Sequence, residues 1–220
     1  EGDETTTDKT TEGTELTVKN LVTGTSKIFK TVSEYYFDKK GTKLLIETTK
    51  FAKDTNSKAS VILYDLLKNS TDTIMKGFAD AKNFVFDEEG IQLSFVAERD
   101  SSVKSLLKFY KLWYYNNTTD SAVLLADKNN AGIKKGFTVS ENADLKFSKD
   151  GKKLFFGTAF IQPAKDTALV DFELARLDVW NYQDDYLQPQ QLKQLAQELK
   201  RSYAAVININ ENIIVQLAAD

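Results

Sequence analysis

Three segments of the chain repeat one pattern in the same phase, and this repetition constrains the fold more than any other feature of the sequence. Each segment contains a Phe that is followed by Gly four residues later and by Leu seven residues later; these are Phe37, Phe86 and Phe147. Apolar residues also stand two positions before each Phe and nine positions after it. Alternating apolar positions that are interrupted by a short polar stretch with Gly are typical of two strands joined by a tight turn. The pattern therefore predicts three β-hairpins.

The phase extends beyond the hairpin in the first two segments. Leu63 and Leu112 both lie 26 residues after their Phe, and Ile74 and Val123 both lie 37 residues after it. Each segment therefore predicts four strands, near 33–38, 43–49, 59–66 and 73–76 in the first and near 83–87, 92–97, 109–115 and 122–126 in the second. A four-stranded antiparallel unit of about 50 residues has the size of one propeller blade. The expected fold is all-β, with about three such blades and some partial blades.

The repeat also predicts how the chain is divided. The predicted parts are a polar segment at 1–14, a leading hairpin at 15–30, and blades at roughly 31–77, 80–127 and 142–217. The leading hairpin matches the outer pair of strands of a preceding blade. About three blades are fewer than a closed ring needs, so we expect a fragment of a propeller.

The third blade is interrupted by one amphipathic helix, expected near 189–202. A polar insertion around 161–167 and a strand-like run at 170–180 precede it. Pro189 suits a first helical turn, and apolar residues recur at three- and four-residue steps at Leu192, Leu195, Ala196, Leu199 and Tyr203. Asp184 or Asp185 is the expected cap. We expect an insertion whose Leu face packs on the blades, with a partner-binding element as the alternative.

The composition excludes several kinds of site. The chain of 220 residues has no His and no Cys, so it cannot assemble a Ser-His-Asp or Cys-His triad or the common zinc, copper and haem ligand sets. We therefore expect no catalytic residue, no metal and no cofactor. A net charge of −3 argues against nucleic acid as a partner. No apolar run approaches the roughly 18 to 20 residues of a membrane helix.

The third hairpin carries a turn signature that several propellers share. Residues 147–156 read Phe-Ser-Lys-Asp-Gly-Lys-Lys-Leu-Phe-Phe, and the turns after Phe37 and Phe86 are looser versions of it. With the stretches at 139–143 and 177–191, these residues resemble the β-propeller domain of prolyl oligopeptidase-like serine peptidases. TolB-like and dipeptidyl peptidase N-terminal-like propellers are wider relatives. The resemblance covers roughly residues 16–217.

This resemblance implies a function. In such peptidases the propeller covers a separate α/β-hydrolase domain and restricts which polypeptides reach it. That hydrolase domain carries a Gly-x-Ser-x-Gly motif followed by Asp and His, and this chain has neither the motif nor a His. The chain is therefore expected to be a non-catalytic propeller domain, with the hydrolase domain of the same parent protein as its partner and a peptide as the substrate. A periplasmic or cell-envelope location follows from the same resemblance.

Two other functions remain open. One is a stand-alone TolB-like binding module for a protein or glycan partner. The other is an all-β glycosidase that uses paired carboxylates, for which Asp184 and Asp185 are candidates. The pair Glu88 and Glu89 invites comparison with glutamates that hold a peptide amino terminus, but solvated turn residues are the simpler interpretation. The turn carboxylates Asp38, Asp87 and Asp150 lack the dense ligand pattern of a calcium loop, so they are expected to stabilise turns.

Four aromatic residues are candidates for a binding surface: Trp113, Tyr115, Trp180 and Tyr182. The alternative is packing between blades, which buries large aromatic side chains. Unpaired strands at the ends of a partial propeller also predict edge-to-edge association between copies.

Overall fold

A computed structural model describes residues 12–51, 53–54, 56–100, 105–164 and 179–218. These residues form mainly strands: β1 (Thr14–Lys19), β2 (Ser26–Phe37), β3 (Lys43–Thr48), β4 (Ser60–Asp65), β5 (Ser70–Lys76), β6 (Asp80–Phe86), β7 (Gln92–Glu98), β8 (Lys111–Asn116), β9 (Val123–Ala126), β10 (Phe137–Val139), β11 (Lys146–Phe147), β12 (Lys153–Phe160), β13 (Tyr203–Asn208) and β14 (Ile213–Gln216). A helix, α1 (Gln188–Glu198), lies between β12 and β13. The predicted all-β class is confirmed.

The strands form three antiparallel sheets that follow one another along the chain. Sheet 1 has the order β1-β2-β3-β4-β5, and sheet 2 has the order β6-β7-β8-β9. Sheet 3 has the order β10-β12-β13-β14, with β11 also paired to β12. In sheets 1 and 2, neighbours in space are therefore neighbours in sequence, as expected for strands joined by short connections. In sheet 3, β10 pairs with β12, and the insertion that holds α1 separates β12 from β13.

The three predicted hairpins share one register. Phe37 lies opposite Leu44, Phe86 lies opposite Leu93, and Phe147 lies opposite Leu154. Because opposite residues in an antiparallel pair point to the same face, the repeat places equivalent side chains on equivalent faces of the three sheets. The repeat read from the sequence is confirmed.

Two apolar layers hold the sheets together. The first lies between sheets 1 and 2 and contains Leu45, Leu63, Ile74, Leu93, Phe95 and Trp113. The second lies between sheets 2 and 3 and contains Val96, Leu112, Tyr114, Leu154, Phe156 and Ile207. Sheet 2 is thus buried on both faces, which explains why six of the seven residues of β7 are buried.

The leading hairpin covers part of the outer face of sheet 1. Strand β2 pairs with β1 along its first part and with β3 along its last part, and its register shifts between Val32 and Glu34. The bend coincides with Thr31, whose φ is 55°. The ring of Phe29 contacts Tyr64, with 5.5 Å between centroids, in a third apolar cluster. The sequence predicts this hairpin as the outer pair of strands of a preceding blade, whereas in the structure β2 joins it directly to sheet 1.

The third sheet and the helix differ in part from the prediction. Sheet 3 begins with β10 at Phe137, before the predicted boundary at 142. Residues 165–178 lie outside the described part of the chain, so most of the strand-like run at 170–180 lies there too. Helix α1 ends at Glu198, and Tyr203 belongs to β13 instead.

Two expectations about α1 are wrong. Its cap is Leu187, which makes no side-chain capping bond, so neither Asp184 nor Asp185 has that role. Leu192 and Leu195 are 56% and 49% exposed, and α1 has no buried residue. The helix lies in an insertion between two strands of sheet 3, and the three apolar clusters of the described residues contain none of its side chains.

Candidate functional site

Three four-residue turns close the repeated hairpins and have the same geometry. Turn 1 spans residues 38–41, turn 2 spans 87–90 and turn 3 spans 148–151. In each turn the Gly N–H donates to the carbonyl of the first residue, at 3.1, 3.3 and 2.9 Å. The φ angles of the three Gly residues are 65°, 69° and 66°. Residues with a Cβ rarely adopt this region of backbone conformation. The Gly of the repeat is therefore required by the turn.

Asp38 holds turn 1 by capping the strand that follows it. Its Oδ1 accepts the backbone N–H groups of Thr42 at 2.6 Å and Lys43 at 2.9 Å, and its Oδ2 accepts the Thr42 hydroxyl at 2.8 Å. Burial raises the pKa of Asp38, but these hydrogen bonds and the charge of Lys43 more than offset it, so the net pKa is lowered. The carboxylate stays charged because the turn supplies its donors.

Turns 2 and 3 repeat this arrangement with one substitution. Asp87 Oδ1 accepts the N–H groups of Ile91 at 2.7 Å and Gln92 at 3.0 Å. In turn 3 the equivalent residue is Ser148, whose Oγ accepts the N–H of Lys153 at 2.9 Å. The described residues contain no group of His, Cys, Asp and Glu side chains arranged to hold a metal. Turn stabilisation accounts for these side chains.

The turns of neighbouring sheets interlock. Two ion pairs join turn 1 to turn 2, Lys39–Glu88 and Lys40–Glu89. The ammonium of Lys43 also donates to the carbonyl of Gly90 at 2.6 Å and to Asn117 Oδ1 at 3.1 Å. Glu88 and Glu89 therefore face the lysines of the preceding turn, which the simpler turn interpretation did not foresee.

Close packing between neighbouring blades gives a second reason for Gly in turns 2 and 3, in addition to the positive φ. A Cβ on Gly90 would lie 2.6 Å from Asp38 Oδ2, and a Cβ on Gly151 would lie 2.4 Å from Gln92 Nε2. The residue six positions after the repeat Phe, Lys43 or Gln92, thus reaches the next turn in both cases. The sequence shows a long polar side chain at that position in all three repeats. Only the packing of one sheet on the next shows that this side chain contacts the following turn.

A second polar group lies between β2 and β3 of sheet 1 and the start of β6 in sheet 2. Glu47 lies opposite Glu34 in the β2–β3 pair, and the hydroxyl of Tyr110 donates to Asp80. Burial raises the pKa of Glu47 to about 7, the nearby charges of Glu34 and Asp80 add to this rise, and a hydrogen bond with Ser33 opposes it. The carboxylates of Glu47, Glu34 and Asp80 therefore repel one another when they are charged.

The four candidate aromatic residues do not share an exposed surface. Trp113 and Tyr115 are buried in the layer between sheets 1 and 2. Trp180 and Tyr182 lie in the insertion before α1 and are 66% and 93% exposed. Asp184 and Asp185 lie in the same insertion, are exposed, and Asp184 accepts a hydrogen bond from Gln191 at 3.2 Å. In the insertion, exposed aromatic and acidic side chains therefore lie close together along the chain.

Comparison with solved structures identifies the arrangement of sheets. The β-propeller domain of the Trilobed protease from Pyrococcus furiosus matches with a TM-score of 0.50 and 8% identity, over 94% of this chain and 49% of its own. The chain has a β-propeller fold. The sheets are therefore blades, and the interlocked turns join blade to blade.

Two further structures with this likeness are also peptidases. The tricorn protease matches with a TM-score of 0.53 and 13% identity, over 90% of this chain and 16% of its own. A prolyl endopeptidase matches with a TM-score of 0.50 and 11% identity, over 95% of this chain and 26% of its own. The chain spans less than half the length of each of the three structures. The expected likeness to peptidase propellers is confirmed at the level of the fold.

The sequence itself matches no protein-family model, and no curated protein matches it significantly. Within the described ranges, no helix is both long enough and apolar enough to span a bilayer.

Proposed function

We propose that this chain is the non-catalytic propeller part of a prolyl oligopeptidase-like serine peptidase, and that it restricts polypeptide access to a hydrolase domain. The observation that carries the proposal is the likeness of its blades to three peptidase structures, each covering at least 90% of this chain. The lack of any His supports a non-catalytic role, because the hydrolase triad needs one.

The physical role in this proposal is steric. Blades joined by continuous apolar layers and by interlocked turns form a stiff wall, because a close-packed interior deforms little. A stiff wall admits extended or short peptides and excludes folded proteins. Selection then depends on size and flexibility, and the chain itself breaks no bond.

The experiment uses the full-length protein to which the chain belongs. Its cleavage of a short peptide is compared with its cleavage of the same sequence placed inside a folded carrier protein. We expect the short peptide to be cleaved and the folded carrier to resist cleavage. Gly90→Ala, which forces turns 1 and 2 apart, is expected to reduce the difference between the two cleavage rates. Equal cleavage of both substrates, or a full-length protein without a hydrolase domain, contradicts the proposal. Cell fractionation tests the periplasmic or cell-envelope location that belongs to it.

A second candidate is a stand-alone TolB-like module that binds a protein or glycan. The observation that favours it is the exposed apolar surface of the insertion, which includes Trp180, Tyr182, Leu187, Leu192 and Leu195. Large exposed apolar surfaces often mark interaction sites. A pull-down that recovers one specific partner, and loses it with Trp180→Ser, favours this candidate over the first.

A further inference from the structure

The connections between strands differ between the two ends of the sheets. Within each sheet neighbouring strands are antiparallel, so successive connections lie at opposite ends. Turns 1 to 3 contact one another and mark the same end of all three sheets. This turn end also holds the short connections at 66–69, 117–122 and 209–212. The opposite end, which we call the loop end, holds the connections at 49–59, 77–79, 99–110 and 127–136 and the insertion at 161–202.

The connections of the loop end touch one another. The side chain of Lys58 lies against the backbone at Gly77, since an added Cβ there would be 3.4 Å from its Cδ. The ammonium of Lys128 lies 3.8 Å from the ring centroid of Phe109 in the neighbouring loop. A carbonyl of the loop that contains Lys128 accepts the N–H of Ile161, where the insertion begins, at 2.9 Å. The loops of successive blades and the start of the insertion therefore form one continuous surface.

This surface carries an excess of cations. Among the described residues of its connections outside the insertion, eight exposed Lys and Arg side chains stand against three Asp. The described part of the insertion adds three charges of each sign. The connections of the turn end have the opposite balance, with five Lys and seven Asp or Glu. Because the potential follows the local excess of charge, the loop end attracts anions although the whole chain has a net charge of −3.

Carboxylates near the loop end do not cancel this excess. Glu47 and Asp80 belong to strands rather than to the loops, and Asp80 pairs with Lys82 at 3.0 Å. Asp100 pairs with Lys111 at the start of β8. The lysines at the loop tips therefore dominate the outermost layer of this end.

Exposed apolar side chains accompany the cations. Phe51 stands between Lys50 and Lys53 and is 40% exposed, and Leu106 stands two residues before Lys108 and is 60% exposed. The insertion adds exposed aromatic and aliphatic residues, among them Trp180, Tyr182 and Leu187. Exposed apolar residues occur at the turn end too, as at Leu67. The combination of apolar tips with an excess of cations distinguishes the loop end.

An anionic lipid bilayer matches this combination. Its surface attracts Lys and Arg over a broad area, and its headgroup region accepts aromatic and aliphatic side chains. An acidic polypeptide also attracts cations, but it gives no reason for apolar tips on separate loops of two blades and on the insertion. The breadth of the surface therefore favours a bilayer.

We propose that the loop end binds the surface of a bilayer that contains anionic phospholipids. The lysines of the loops contact the headgroups, and Phe51, Leu106 and Trp180 enter the headgroup region. The turn end, with its excess of carboxylates, faces away from the lipid. This inference does not depend on the proposed function, because it rests on the charge and exposure of the loops.

Co-sedimentation of the chain with vesicles tests the proposal. We expect binding to vesicles that contain phosphatidylglycerol, little binding to vesicles of phosphatidylcholine alone, and release at high salt, because salt screens exposed charges. Equal binding to both kinds of vesicle, or binding to neither, overturns the proposal. Binding to immobilised polyglutamate without binding to vesicles would assign an acidic polypeptide as the partner and also overturn it.

Paired lysine variants test the orientation of the chain. Lys134→Gln together with Lys135→Gln, at the loop end, is expected to weaken vesicle binding by about ten- to thirtyfold. Lys149→Gln together with Lys152→Gln is the matched control at the turn end, since it removes the same charge from exposed positions. An equal loss in both double variants would mean that only the net charge matters, and the proposed surface would be wrong.

Tryptophan fluorescence tests the apolar contact. The chain has two Trp residues, of which Trp113 is buried and Trp180 is exposed, so a change on binding reports on Trp180. We expect its emission to shift to the blue on vesicles with phosphatidylglycerol. Phe51→Ser is expected to weaken binding, and Leu67→Ser, at the turn end, to leave it unchanged. Binding without an emission shift, or equal effects of the two Ser variants, contradicts insertion of the loop tips.

Discussion

Gly90 lies where turns 1 and 2 come closest, and it carries two separate constraints. Its φ of 69° disfavours any residue with a Cβ, and an added Cβ would lie 2.6 Å from the buried carboxylate of Asp38. Gly41 has a φ of 65° but nothing within 4 Å of an added Cβ. The two positions therefore separate backbone strain from contact between blades.

We predict that Gly41→Ala lowers the free energy of unfolding by about 1–2 kcal/mol, the cost of a left-handed backbone with a Cβ. Gly90→Ala is predicted to cost about 1–3 kcal/mol more, because the carboxylate it displaces is fixed by the turn. Urea denaturation of both variants measures the difference. Equal losses at the two positions would show that the turns do not pack against each other.

Glu47 makes stability depend on pH in an unusual direction. Its pKa in the folded chain is raised from 4.5 to about 7, mainly by burial. The folded state therefore binds more protons than the unfolded state between these values, and the free energy of unfolding falls as the pH rises through that range. The effect is the reverse of that of a carboxylate with a lowered pKa.

We predict that Glu47→Gln removes this fall, so that the variant gains stability relative to the parent as the pH rises from about 4.5 to about 7. Urea unfolding at several pH values measures it. The exposed residue Glu211 provides the control, Glu211→Gln. If the Glu47→Gln curve runs parallel to that of the parent, Glu47 is not the cause of the pH dependence.

Single residues also show where sequence reasoning stops. The spacing from Phe to Gly and Leu predicted the hairpin and its register, because turn geometry and alternation act over a few residues. It did not predict that Phe37 is 55% exposed while Phe147 is 8% exposed. Burial of a strand face depends on which blade covers it, and the local pattern is the same in both cases.

At the scale of elements, helix α1 shows the same limit. Its apolar residues at three- and four-residue steps predicted the helix, and a helix is present. The periodicity identifies an apolar face but says nothing about what covers it. Within the described part of the chain that face stays about half exposed, whereas β7 is almost wholly buried.

This difference is measurable by truncation. Leu195→Ala on α1 is expected to change the free energy of unfolding by less than about 0.5 kcal/mol, as at an ordinary surface position. Leu154→Ala, at a completely buried position between sheets 2 and 3, is expected to cost about 2–5 kcal/mol. Thermal or urea unfolding compares them. A loss above about 2 kcal/mol for Leu195→Ala would mean that the insertion packs on the blades after all.

The stacking of whole blades follows from the repeat. The sequence predicted the four strands of each of the first two blades, because each strand shows the same alternation as its counterpart in the other blade. The contacts between turns, such as that of Lys43 with Gly90, join residues that are 47 apart in sequence. These contacts can be predicted only when two neighbouring blades are placed face to face. The repeat then indicates which residues of the two blades lie near each other.

Edge strands set the behaviour of the chain when it is studied alone. Strand β14 ends sheet 3, and its Ile213 and Val215 are 55% and 49% exposed. An unpaired strand with apolar side chains is a template for pairing with another copy. Strand β5, at one edge of sheet 1, carries Asp72 and Lys76, and charges of this kind discourage such pairing.

We therefore predict weak, reversible association of the isolated chain through β14. Sedimentation velocity should show an average sedimentation coefficient that rises with concentration. Ile213→Lys should suppress the rise, because a charge on an edge strand must be desolvated before a second strand can pair. Leu67→Lys, at an exposed turn position of sheet 1, should leave it unchanged. If the parent chain is a strict monomer at the highest concentration reached, or if both variants behave alike, β14 is not the contact.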